Sequence, residues 1–317
     1  MHNILKVIHS KSIWLILLTS CLLYACVKEI SLPNNEVRNA FVINGSIKAN
    51  SQITVSVASI QNIYSTIENP FDSTLVVKLL KNDFEKDTLV FSGGKYKSPL
   101  IASHGDKLSI EIESADHPAL KAETIIPSEV SHLNCEFTAG NIFNEYGEAI
   151  TESFISFSDN GDEDNQYLFF LGDFDYDTVF HSQSYGQYWH LNDPILVNEG
   201  ILDYSPSFFV FSDELFNGKD CTIKLMYYNG IMDKGEIYLP LENWCVFRKI
   251  SKEYYLFLKS LLQHQYNQQI IDFTNFDPTL LLLKGQPTEV YTNIEGGHGI
   301  LASYSEVIQE FKYVTGE

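Results

Sequence analysis

The chain has 317 residues, of which 44% are hydrophobic and 13% aromatic, enough for about two domains with cores of their own. It carries 41 acidic side chains against 21 basic ones, a formal net charge of −20. A charge of that sign repels nucleic-acid phosphates and anionic lipid headgroups, which excludes both as partners; spread along the sequence, it reads as a solubilising surface.

The first twelve residues hold Lys6 and Lys11 and no acid, and Ile13-Trp14-Leu15-Ile16-Leu17-Leu18 follows. A positive start, a short apolar run and a small residue before a cut describe an export signal over residues 1–25. The uncharged stretch 12–27 is too short for a spanning helix, which needs about 20 apolar residues. Leu18-Thr19-Ser20-Cys21 and Leu23-Tyr24-Ala25-Cys26 both have the form of a bacterial lipid-attachment site. Cleavage before Cys26 leaves the polar tether 26–38, whereas cleavage before Cys21 leaves Leu22-Leu23-Tyr24-Ala25 facing water, so Cys26 is the expected attachment point and Cys21 the alternative. Several acyl chains on one cysteine hold a protein stably at a membrane.

From residue 39 the pattern turns to strand. Residues 41–47, 53–57, 75–80, 88–91, 108–113 and 122–126 are short apolar or alternating runs, with turn residues such as Ser92-Gly93-Gly94 between them. This spacing predicts an immunoglobulin-like or transthyretin-like β-sandwich over 39–128, ending at Pro127-Ser128. Residues 129–317 read as a second β-rich domain, with strands at 154–157, 167–171, 207–211 and 222–228. One amphipathic helix near 251–269 interrupts it. Ser251 is the expected N-cap, Glu253 suits the first turn, and Tyr254, Leu258, Leu261 and Leu262 recur at helical spacing. The expected fold class is therefore all-β, two β domains with a single helix.

Few residues offer chemistry. Gly-x-Ser-x-Gly, His-Glu-x-x-His and a phosphate-cradling glycine loop are all missing from the sequence, and no cofactor is implied. His181, His190 and His298 share no metal-ligand spacing. Asp159, Asp162 and Asp164 lie in the densest acidic segment and are a weak calcium candidate. The segment departs from the EF-hand order, however, with Glu163 at the fifth position and Asp164 where the glycine belongs, and a solvated turn is the plainer reading. Asp173, Asp175 and Asp177 alternate with aromatics and would share one strand face. Tyr185, Tyr188 and Trp189 form an aromatic stretch suited to ligand or partner contact. Cys135, Cys221 and Cys245 are odd in number and read as buried apolar residues, with a Cys221–Cys245 bridge as the alternative. Gly296-Gly297-His298-Gly299 reads as a tight backbone turn beside the last strand.

Three ordered segments carry a family likeness. They are Cys26 followed by Val27-Lys28-Glu29-Ile30-Ser31-Leu32 and Phe41-Val42-Ile43-Asn44-Gly45; then Ser251-Lys252-Glu253-Tyr254-Tyr255 with Leu258-Lys259-Ser260-Leu261; then Asn293-Ile294-Glu295-Gly296-Gly297-His298-Gly299-Ile300. In this order they resemble the Bacteroidota outer-membrane lipoprotein family catalogued as domain-of-unknown-function family 4249. Departures are Tyr24 in the lipid-attachment site and Leu301-Ala302, where an aromatic is usual. The resemblance implies a lipid anchor in the outer membrane, association with a TonB-dependent transporter, and no catalytic residues. The expected function is a non-enzymatic, ligand-capturing or transporter-accessory protein. A structural or adhesive surface protein is the alternative, and a hydrolase the third reading.

Overall fold

The computed structural model describes residues 40–60, 71, 73–114, 119–143, 149–174, 180–182, 189–190, 193–200, 208–228, 232–233, 236–237, 244–268 and 288–314. Residues 39–317 form one compact unit. The chain is mainly β, as its composition predicts.

Eight strands come first: β1 (Phe41–Lys48), β2 (Ser51–Ser59), β3 (Val76–Lys81), β4 (Glu85–Thr88), β5 (Val90–Ser92), β6 (Lys95–Ala102), β7 (Lys107–Glu113) and β8 (Leu120–Ile125). Past Pro127 come β9 (Ser131–Phe143), β10 (Ala149–Ser158), β11 (Gln166–Phe174), β12 (Phe180–Ser182), β13 (Trp189–His190), the short helix α1 (Pro194–Asn198), β14 (Phe209–Ser212) and β15 (Asp220–Tyr228). The remainder is β16 (Met232–Asp233), β17 (Glu236–Ile237), β18 (Trp244–Ile250), helix α2 (Lys252–Gln268), β19 (His298–Glu310) and β20 (Lys312–Tyr313).

The strands assemble into one long sheet, two shorter ones and a small β16–β17 hairpin. The long sheet runs β12-β11-β18-β19-β1-β2-β6-β5, with β14 also pairing β11. Its β1/β2/β6 end shares a core with the sheet β4-β3-β7-β8, built from Ile43, Ile53, Val55, Tyr96, Leu79 and Ile110. Its β11/β14/β18 end shares a second core with the sheet β13-β15-β10-β9-β20. That core is aromatic: Phe157 lies 4.9 Å from Tyr167 and 4.8 Å from Phe247, ring centre to ring centre. Tilted pairs at such spacings add to the hydrophobic term.

The period-two pattern explains the first core directly. In β7, Leu108, Ile110 and Ile112 are buried while the residues between them face outward, the alternation of a half-buried strand. The run 88–91 behaves differently from the single strand expected. It divides at buried Leu89, which places β4 beside β3 and β5 beside β6 in separate sheets. Strand β9 carries no pattern that announces it, whereas the strand at Cys245 and the last strand after the glycine segment are expected without bounds and appear as β18 and β19. In β18, Cys245, Val246 and Phe247 are buried in succession, because the long sheet is covered on both faces there and alternation disappears.

The second covering layer is α2. Ser251 caps it as expected, its Oγ accepting from the Tyr254 amide at 3.4 Å. Buried Leu258 packs on Leu168, Val210 and Ile250, with Tyr254, Tyr255 and Leu262 around them. The helical stripe is core packing. At the expected boundary, Pro127-Ser128, the chain passes from β8 to β9, and the long sheet spans both sides through the parallel pairing of β1 with β19.

Candidate functional site

The acidic loop 159–165 joins β10 to β11, and Asp159 turns into the protein. Its Oδ1 accepts from Asn165 Nδ2 at 3.0 Å and from the Tyr167 hydroxyl, and its Oδ2 accepts from the Gly218 amide at 2.7 Å. Asn165 Nδ2 also donates to the carbonyl oxygens of Asn160 and Glu163. The Asn165 amide donates to Asp213 at 2.7 Å. Burial pushes the Asp213 carboxyl up, and Asp159 and Asp164 add to the rise against the Asn165 amide. Burial likewise raises the Tyr167 phenol, its bond to Asp159 reinforcing the effect. Asp162 and Asp164 stay exposed. Asp159 thus spends its oxygens on a loop clamp, and among the described residues no three His, Cys, Asp or Glu side chains are grouped to hold a metal ion.

Beside this clamp lies Lys249 of β18, with 5% of its side chain exposed. Its Nζ donates to Ser128 Oγ at 2.6 Å, and Glu163 lies 4.0 Å away. Burial lowers the lysine, while Glu163, Asp159 and Asp213 work against that. A serine beside a buried lysine has the composition of a nucleophile and its base. Here the ammonium is the donor, and it ties β18 to the segment after β8. The two residues are 121 apart in sequence, so no local pattern announces the pair.

Two further buried carboxylates join elements. Glu306 of β19 receives Lys48 of β1 at 2.7 Å and Arg248 of β18 at 2.6 Å. The guanidinium also lies over the Tyr304 ring, 4.2 Å from its centre, a cation–π contact. Burial alone would raise the Glu306 carboxyl, but Lys48 and Arg248 overcome it and hold it below the usual range. Glu199, following α1, accepts from the amide and hydroxyl of Ser212, the Tyr255 hydroxyl and Lys259 Nζ. These partners outweigh its burial and hold its carboxyl low. Buried charges with this many donors serve as staples between elements.

Among the described residues, the outer face of β4-β3-β7-β8 holds a depression of about 860 Å³. Strand register lays its residues in rows. Thr88, Lys78, Glu111 and Lys121 cross the four strands in one row, and Lys86, Leu80, Ser109 and Glu123 in the next. The charges alternate and pair: Lys121 with Glu111 at 3.2 Å, Lys107 with Glu123 at 3.2 Å, and Lys78 with Glu113 at 2.5 Å. Exposed pairs of this kind contribute little to stability. The face mixes charged side chains with apolar surface around Leu80.

The glycine segment is a fold device. Asn293 Nδ2 donates to the Leu301 carbonyl and its Oδ1 accepts from the Leu301 amide, while Glu295 pairs with Lys121 of β8. Gly299 has φ +97° and lies against the Ile43 carbonyl, where a Cβ would overlap it. A Cβ on Gly297 would sit 3.0 Å from the Phe41 carbonyl oxygen. The segment seats β19 against β1, and His298 is exposed.

Cys21, Cys26, Tyr185, Tyr188, Asp175 and Asp177 lie outside the described residues. For Trp189, the backbone of β13 pairs with Tyr227 at the edge of its sheet. Cys135, Cys221 and Cys245 are buried and free. The neighbour of the Cys245 thiol is Cys135, not Cys221, because Cys135 and Cys245 project into the same core from different sheets. Burial, with help from Asp193 and Asp159, pushes the Cys221 thiol up to about 12. No described helix is long and apolar enough to cross a membrane.

Two cores on one shared sheet, with buried charges used as staples, define a mainly-β protein whose open surface lies on a sheet face. The family described as domain of unknown function (DUF4249) matches residues 27–310, and the chain belongs to it. No curated protein matches the chain. Among solved structures it is similar to a collagen adhesin from S. aureus at 7% identity, covering 86% of this chain and 94% of that one with a TM-score of 0.17. A likeness of that size carries no functional argument.

Proposed function

We propose that the protein is a non-enzymatic outer-membrane lipoprotein, anchored through Cys26, that captures a ligand or assists a TonB-dependent transporter. The observation that carries this reading is the open face of β4-β3-β7-β8. Its depression of about 860 Å³ is lined by charged side chains, of which Lys121 and Glu111 pair with each other. Such a surface offers many hydrogen-bonding groups to a polar ligand or a protein partner. Two features support the anchor: the apolar segment ending at Ala25-Cys26, and the family match that opens at residue 27, directly after that cysteine. The aromatic stretch of Tyr185, Tyr188 and Trp189 offers a second contact.

Metabolic labelling with a fatty acid tests the anchor. Cys26→Ser abolishes labelling and releases the protein from membranes; labelling lost only in Cys21→Ser moves the anchor five residues upstream. Affinity purification from detergent-solubilised envelopes tests the role. A co-purifying transporter is the expected result. Turnover of a glycan or peptide panel with no transporter bound overturns the binding reading in favour of a hydrolase.

A further inference from the structure

Three cysteines lie in the second core, and two of them face each other across it. Cys135 comes from β9 and Cys245 from β18, strands of the two different sheets that enclose this core. Both are fully buried at 0% exposure. Of the other groups around it, the one that acts on the Cys245 thiol is Cys135. Cys221 belongs to the same core on β15, but the carboxylates acting on its thiol are Asp193 and Asp159. Two interacting thiols that approach from facing sheets are the pair in this core that oxidation would join.

We propose that Cys135 and Cys245 are an oxidisable pair that forms a disulfide between the two sheets, leaving Cys221 as a thiol. The bond forms by exchange with a disulfide oxidant, either a protein thiol oxidase or glutathione disulfide. One cysteine loses its proton, and its thiolate attacks a sulfur of the oxidant, breaking that S–S bond and releasing one oxidant thiolate. The second cysteine, once deprotonated, attacks the protein sulfur of the mixed disulfide and releases the other. The protein gives up two protons and two electrons, and the oxidant leaves as the dithiol or as two thiols. Because both sulfurs are buried in the finished core, exchange takes place while the second core is still open, during folding. Once the core closes, the bond is shielded from reductants. In the cell the reaction rests on the proposed export, since only an oxidising compartment lets such a bond persist.

The full chain carrying Cys21→Ser and Cys26→Ser is unfolded under reducing conditions and refolded in detergent with a glutathione redox buffer. Free thiols are then alkylated, and trypsin plus Glu-C peptides are weighed. The expected product is a peptide pair joined through Cys135 and Cys245, with Cys221 alkylated. Cys221→Ala leaves the joined pair intact, and Cys245→Ala leaves Cys135 alkylated. The oxidised chain melts roughly 10 °C above the reduced one, as closure of a loop this long implies. Alkylation of both Cys135 and Cys245 in chains with the folded circular-dichroism spectrum overturns the proposal, as does a joined peptide containing Cys221. The native chain is alkylated directly in acid-quenched cells as a second arm. A joined pair after refolding but free thiols in the cell leaves the pairing standing and contradicts export. Free thiols in both arms overturn the pairing.

Discussion

Glu306 shows how this protein uses buried charge. Its side chain is 9% exposed and meets two cations, from β1 and β18. Removing Glu306 leaves Arg248, 20% exposed, without its carboxylate, while Lys48, 42% exposed, can turn to water. Glu306→Ala should therefore cost about 2 kcal/mol of stability, read from denaturant midpoints. The pH dependence has a definite sign. The folded carboxyl titrates below its ordinary value of 4.5, so folding favours the ionised form. The contribution is complete above 4.5 and is lost as pH falls through the depressed native value. Glu306→Gln should flatten the acid limb of a stability profile taken from pH 7 to pH 3. An unchanged acid limb in that variant would show that the three-strand staple contributes nothing. None of this was legible in sequence, because Lys48 and Glu306 are 258 residues apart.

At the scale of elements, legibility followed exposure. Strand β7 and helix α2 each have one buried and one open face, so Leu108, Ile110 and Ile112, or Tyr254 and Leu258, declare their period. Strand β18 is covered on both faces and declares none. Strand β9 mixes buried Cys135 and Phe137 with polar neighbours and shows no clear period. The glycine segment was legible as a turn but not as the seat of β19, because its role depends on β1, far off in the chain. Gly299 tests that role. At φ +97° and against the Ile43 carbonyl, an added methyl group meets both backbone strain and a clash. Gly299→Ala should lower stability by about 3 kcal/mol or prevent folding, whereas Gly105→Ala, also at positive φ but in open space, should cost about 1 kcal/mol. Equal effects in thermal melts would contradict the close-approach argument.

In the molecule as a whole, β19 returns from the end of the chain to join both cores. It pairs in parallel with β1 from Val42↔His298 to Lys48↔Tyr304, and antiparallel with β18. Leu301 enters the first core and Val307 packs on the second. A fragment of residues 39–128 therefore lacks a strand of its own sandwich and presents β1 as a free edge. Expressed alone it should be marginally stable or self-associate, and a peptide covering 288–310 should stabilise it. A monomeric fragment with a cooperative melt near that of the full chain would mean that the shared strand is dispensable.

The same arrangement leaves the outer face of β4-β3-β7-β8 open, and the functional account rests on it. Ser109 lies within that face, between Leu80 and Glu123 in its row. A photo-crosslinking residue at position 109 of the full chain reports directly on what meets the face in cells. The account predicts a crosslink to an integral outer-membrane transporter or to a captured ligand, and none from a control at exposed Lys312 on the edge strand β20. Identical crosslinks from both positions, or none from Ser109 while the chain turns over a glycan or peptide substrate, would contradict it.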